Sequence, residues 1–168
     1  MTETLKQIQP EEIQDNVFNL IGKDWMLITG GTPEGFNTMT ASWGGMGVLW
    51  DKKVCFSVVR PTRYTYEFLE RHPVYTLSFF PNRYRNALTL CGTKSGRDVD
   101  KVRESGLTPL FDGDAVFFKE ARLVLECRKI YFQDITPSNF GDAGIERFYP
   151  EKDYHRMYVG EIVRCLAR

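Results

Sequence analysis

Residues 25–59 read WMLITGGTPEGFNTMTASWGGMGVLWDKKVCFSVV, and this stretch decides the fold class. Its apolar and Thr-rich runs have strand length, and glycine and proline turns separate them. Trp25 to Thr29 reads as a strand closed by Gly30-Gly31 and by a turn around Pro33 and Gly35. Phe36 to Trp43 reads as a second strand, and Gly44-Gly45-Met46-Gly47 as a flexible corner. Val48-Leu49-Trp50 and Val54 to Val59 then form two strands, or one bent strand broken near Asp51-Lys52-Lys53. No amphipathic helix interrupts the series.

Outward from this stretch the pattern continues. On the N-terminal side, Pro10 to Ile21 predicts a short amphipathic helix with Ile13, Val17, Leu20 and Ile21 on one face and Gly22 as its stop. On the C-terminal side, Pro61 to Arg71 predicts a helix capped by Thr62, with Tyr66, Phe68 and Leu69 inward, ended by His72-Pro73. Val74 to Phe80 is a buried strand, and Asn82 to Leu90 and Asp98 to Ser105 are short helices, Gly106 stopping the second. Ala115 to Phe118, Ala121 to Ile135 and Tyr154 to Leu166 supply further strands. Thr136 to Asp153 is a long loop of the kind that often carries function or covers a partner surface. Many strands, short irregular helices and no β-α-β alternation predict an antiparallel barrel or sandwich, mainly β with peripheral helices.

The chain's 168 residues match one domain spanning 1–168. Lys and Arg total 22 and Asp and Glu total 22, which argues against a nucleic-acid binder relying on unspecific phosphate attraction. Cys55, Cys91, Cys127 and Cys165 form no CxxC pair, and His72 and His155 are far apart, so no metal site is expected. The start, Met-Thr-Glu-Thr-Leu-Lys, lacks a signal-peptide pattern, and no apolar run approaches the roughly 20 residues of a membrane span. A cytoplasmic protein with reduced thiols, on no membrane, is the expectation.

Three segments combine small residues, hydroxyls and isolated cations. In Asn37-Thr38-Met39-Thr40-Ala41-Ser42-Trp43-Gly44-Gly45, small side chains let a flat heterocycle approach backbone amides; a Thr-rich strand ending in a glycine corner is the plainer reading. Arg60-Pro61-Thr62-Arg63-Tyr64-Thr65 opens a helix, where free amides, hydroxyls and a forked guanidinium suit a phosphate; an ordinary capped helix explains it too. Cys91-Gly92-Thr93-Lys94-Ser95-Gly96-Arg97-Asp98-Val99-Asp100-Lys101 precedes a helix with Asp98 as its cap, and reads as a phosphate cradle or a connecting loop. It is not a Walker A loop, and no dinucleotide fingerprint or nucleophile elbow occurs.

Taken in order, these segments, with His155-Arg156-Met157-Tyr158-Val159-Gly160-Glu161, resemble the flavin reductase-like family of FMN-binding split-barrel proteins, in particular its flavoredoxin-type branch. The resemblance runs from about Pro10 to the last strand. It implies a Greek-key split β-barrel working as a homodimer with FMN near the subunit interface. Thr38, Met39, Thr40, Ala41, Ser42 and Trp43 would line the ring; Thr62, Arg63 and Thr65 would contact the phosphate with Ser95, Gly96 and Lys101 nearby, and Arg60, Cys91 and Gly92 would complete the cofactor-binding set. His155 would approach the ring as the catalytic side chain or meet the partner subunit, and NADH or NADPH would donate the hydride. The expected function is an NAD(P)H-dependent flavin oxidoreductase. A flavoredoxin-like carrier fed by a redox partner protein, and a non-redox ligand-binding barrel, are the alternatives.

Overall fold

A computed structural model describes residues 4–168; Met1 to Glu3, where the signal-peptide reading begins, lie outside the described residues. The chain runs β1 (Lys6–Ile8), α1 (Val17–Asn19), β2 (Met26–Thr32), β3 (Gly35–Ala41), β4 (Gly44–Leu49), β5 (Lys52–Val59), α2 (Tyr64–Arg71), β6 (Val74–Phe79), α3 (Arg85–Thr93), α4 (Lys101–Ser105), β7 (Pro109–Asp112), β8 (Ala115–Phe118), β9 (Leu123–Asp134) and β10 (Arg156–Ala167).

One antiparallel sheet dominates, in the order β3-β2-β6-β9-β10-β5-β4, with β1 added to β10; β7 and β8 form a separate hairpin. The sheet's two outer strands, β3 and β4, are consecutive in the chain and joined only by Ser42 and Trp43. A link that short spans at most about 11 Å. The sheet must therefore curl until its two edges nearly meet, as a barrel left open along the β3/β4 seam. Ser42 and Trp43 bridge the opening.

Two apolar clusters hold this shape. Inside the barrel lie Met26, Ile28, Met39, Cys55, Val59, Leu77, Phe79, Leu123, Leu125, Cys127 and Tyr158. Outside it Leu27, Phe80, Leu88, Cys91, Phe117, Phe118 and Val124 pack beneath α3 and the β7–β8 hairpin. Consecutive residues such as Leu123, Val124 and Leu125 thus face opposite cores. That is why Leu123-Val124-Leu125 is a continuous apolar run, while the alternation of Leu125 and Cys127 against charged neighbours continues beyond it.

Several local expectations change. The segment 10–21 is not one helix: a 3-10 turn spans Pro10–Glu12, and Asn16 starts α1, its Oδ1 accepting from the Asn19 amide at 3.1 Å. A capping side chain in mid-segment breaks the helix because it offers the backbone a local partner. Gly22 lies within the π-helical turn Leu20–Asp24 instead of ending a helix. β2 runs through Gly30-Gly31, which pair with Asn37 and Phe36 of β3; a methyl group at Gly30 would stand 3.2 Å from the Leu69 amide nitrogen, so the glycine admits α2 against the strand. The Gly44–Gly47 corner is the start of β4, paired with Ser57 to Val54. The break at 51–53 is a two-residue turn in which Trp50 and Asp51 both take positive φ, 54° and 55°, the backbone that matches strand twist in a tight hairpin. Arg63, not Thr62, precedes α2, and Asp100, not Asp98, caps α4. The 136–153 segment holds two 3-10 stretches, Pro137–Asn139 and Ala143–Phe148.

Candidate functional site

The β3/β4 seam opens into a cleft of about 190 Å3 lined by Met39, Thr40, Ala41, Ser42, Trp43, Val58, Arg60, Arg63 and His155. Next to it, a cavity of about 120 Å3 is lined by Thr62, Arg63, Tyr64, Thr65, Thr93, Lys94, Ser95 and Lys101. Arg63 borders both. Residues from three separated stretches of chain therefore converge, because the curled sheet brings the end of β3 against the end of β5 and the loop after α3.

Arg63 is the hinge of the arrangement. Its Nη1 donates to the Gly92 carbonyl at 3.0 Å, while Nη2 is buried with no hydrogen-bond partner among the described residues. Burial, and then the charge of Arg60, lower its pKa. A buried guanidinium N–H without an acceptor is costly, on the order of 1–3 kcal/mol, unless a ligand supplies one. Lys101 is 5% exposed, and its ammonium donates to the Thr38 and Cys91 carbonyls, both at 2.8 Å. Burial, assisted by Arg63, lowers its pKa to about 8, so it is mostly cationic at neutral pH. Three cations, Arg63, Lys94 and Lys101, thus line the smaller cavity together with Thr62, Thr65, Thr93 and Ser95, a set of residue types that fits a phosphate.

The larger cleft has a different character. His155 is 8% exposed, its Nδ1 lies 2.8 Å from the Tyr149 hydroxyl, and its ring centroid lies 5.2 Å from that of Trp43. Burial first and Arg60 second push its pKa down to about 4, so the imidazole is neutral at physiological pH. Phe148 meets the Trp43 ring edge-on at 5.4 Å. Backbone of β3, flat apolar walls and a neutral imidazole suit a planar ring.

Some expected residues contribute through backbone and not side chain. Cys91 is fully buried, its thiol pushed up to about 11 by burial, and it offers its carbonyl to Lys101. Gly92 offers its carbonyl to Arg63. Thr38 turns its hydroxyl to Thr29 at 2.9 Å, and Thr40 bonds the Leu88 carbonyl. Thr65 is buried, and its hydroxyl accepts from Asn37 Nδ2 at 2.8 Å. Ser95 Oγ accepts from the Arg97 amide at 3.2 Å, and Gly96 packs on Asn37. Arg60 stands in the cleft but is committed to the 136–153 segment: it donates to Asp153 at 2.6 Å and to the Phe148 carbonyl at 2.8 Å, and lies over the Tyr149 ring. Tyr149 and Phe148 were not foreseen, since nothing periodic marks them. Val58 was read only as part of the Val54 to Val59 strand, whose VCFSVV shows no regular alternation that would single it out. Among the described residues no group of three His, Cys, Asp or Glu side chains is placed to hold a metal, and no helix is long and apolar enough to cross a membrane.

Known proteins share this architecture. The structure is similar to a flavoredoxin from Methanosarcina acetivorans, with 22% identity over 96% of this chain and 76% of that one and a TM-score of 0.69. It is similar to an FMN-binding domain of a flavin reductase-like enzyme from Shewanella baltica, with 15% identity, 99% and 78% coverage and a TM-score of 0.70. An NADH:FAD oxidoreductase from Streptomyces globisporus aligns at 16% identity over 84% of this chain and 74% of that one, with a TM-score of 0.62. These likenesses establish the split-barrel fold. No curated protein matches the sequence. Residues 19–168 match the flavin reductase-like domain as a sequence family, and the chain belongs to that family.

Proposed function

We propose that this protein is a single-domain FMN-binding flavin oxidoreductase that takes its electrons from NADH or NADPH. The observation that carries the reading is the buried, unpartnered Nη2 of Arg63 at the junction of the two cavities. An anion in the smaller cavity gives that donor its acceptor. Arg63, Lys101, Thr62 and Ser95 would bind the flavin phosphate, with charge-assisted bonds contributing about 1.5–3 kcal/mol each. Met39, Ala41, Ser42, Trp43 and Val58 would seat the ring and exclude water from one side of it. His155, neutral and buried, would hold the ring by a hydrogen bond without competing for protons. When bound, FMN supplies the hydride-accepting ring, and the protein's task is to place it.

The reading includes a cytoplasmic homodimer. Val48, Trp50, Tyr131 and Phe132 are exposed apolar side chains on β4, its turn and β9, and light scattering tests whether they mediate pairing. A second reading, a flavoredoxin-like carrier served by a redox partner protein, draws support from the flavoredoxin likeness. An anaerobic visible spectrum before and after NADH or NADPH separates the two. Bleaching with either donor supports the oxidoreductase; bound flavin that stays oxidised supports the carrier. Failure of the purified protein to bind FMN sinks both.

A further inference from the structure

Tyr149 stands outside the cleft's lining but touches the one histidine within it. The phenol is 4% exposed, and its hydroxyl lies 2.8 Å from His155 Nδ1. Among the described residues its other polar neighbour within reach is the His155 backbone N–H, a donor that cannot accept the phenol's proton. Its ring is enclosed by Phe140 at 6.1 Å, Tyr154 at 4.9 Å and the Arg60 guanidinium at 4.8 Å, none of which accepts a proton there.

Two arrangements share this distance. Either the phenol donates to an unprotonated Nδ1, or an Nδ1–H donates to the phenol oxygen. In the second, the phenol's own proton points among aromatic rings and a cation with no acceptor, at the cost of a buried unsatisfied donor. The first leaves no donor unmet at this contact. We infer that Tyr149 is a positioning residue: it donates to Nδ1 of His155, holds the neutral imidazole as the Nε2–H tautomer, and makes His155 a hydrogen-bond donor toward the cleft.

The surroundings support a fixed neutral ring. The Trp43 ring faces His155, and the nearby charges, Arg60 and Asp153, are paired with each other at 2.6 Å. The Tyr149 phenol keeps its proton, its pKa raised by burial against the opposing pull of Arg60. Arg60 in turn holds the segment that carries Tyr149 through Asp153 and the Phe148 carbonyl. The 136–153 segment thereby acts on the cleft without lining it. The consequence for ligands rests on the flavin reading: a donor at His155 selects ligand atoms with lone pairs, such as a ring carbonyl or an unprotonated ring nitrogen.

The experiment is long-range proton–nitrogen NMR on protein labelled with nitrogen-15 histidine, without flavin. With only His72 and His155 present, His155→Gln assigns the signals. The wild type is expected to show a single His155 tautomer, Nε2 protonated and Nδ1 not. In Tyr149→Phe the two nitrogen shifts are expected to converge as the tautomers mix. An Nδ1-protonated ring in the wild type overturns the inference, as does an unchanged tautomer in a folded Tyr149→Phe. If that variant does not fold, the wild-type tautomer alone decides. FMN binding, followed separately by fluorescence, tells failure of the flavin reading apart from failure of the tautomer.

Discussion

Gly96 packs so tightly on Asn37 that a methyl group at position 96 would stand 2.0 Å from Asn37 Oδ1 and 3.1 Å from the Tyr64 ring. Asn37 is buried and committed through Nδ2 to Thr65, so it has little room to yield. The contact ties the loop after α3 to β3 beside the small cavity. Gly96→Ala is therefore expected to destabilise the protein by about 1–3 kcal/mol, the usual cost of overpacking. A lower urea midpoint at unchanged m-value, together with weaker FMN binding, checks it; wild-type values for both would show that the loop is free to move.

Arg63→Ala should weaken FMN binding by about 2–3 kcal/mol, the scale of hydrogen bonds to a charged group. Riboflavin, which lacks the phosphate, should bind the variant nearly as well as the wild type. A fluorescence titration with both flavins reads the difference. Equal losses for the two would take the guanidinium away from the phosphate.

Lys101 carries a pKa of about 8 because burial disfavours its charge. A bound phosphate favours the ammonium, so FMN affinity should fall as pH rises through 8, by at most about tenfold per pH unit for one proton. Lys101→Met should bind FMN weakly with no such break. Affinity that stays flat from pH 7 to 10 in the wild type would contradict the assignment.

His155 titrates the other way round from a paired histidine. Its folded-state pKa of about 4 lies below the ordinary histidine value of 6.5, so the unfolded chain binds the extra proton first. Stability is unaffected above about pH 6.5 and falls as pH drops from there toward 4, by up to about 1.4 kcal/mol per pH unit from this group. Denaturation series at pH 7, 6 and 5 on the wild type and on His155→Gln should show a shallower decline in the variant. Parallel declines would mean the ring is solvated.

The strand runs were legible where burial on both faces demands apolar residues, as in Val74–Phe79 and in Leu123-Val124-Leu125 at the start of β9. The seam segments were legible because they concentrate small residues, hydroxyls and cations. Less visible was β1, whose Lys6–Ile8 pairs with Cys165–Ala167 and takes its strand form from that distant partner. The exposed Phe111 in β7 likewise gives no local sign that Pro109–Asp112 folds back on Ala115–Phe118. The N-terminal helix expectation failed because Asn16 captures a backbone amide, a local competition that apolar spacing does not register.

By itself the sequence determined that this chain is mainly β, that its helices are short and peripheral, and that three stretches concentrate small residues, hydroxyls and cations. Those are consequences of local spacing, burial preference and turn chemistry, each confined to a few neighbouring residues. Tertiary structure alone decided that the sheet's edges meet across Ser42 and Trp43, that Arg63 keeps a buried donor free, and that Tyr149 reaches His155. Each of these depends on where the curl of the sheet and the course of the 136–153 segment bring side chains together. Spacing along the chain carries no record of those distances.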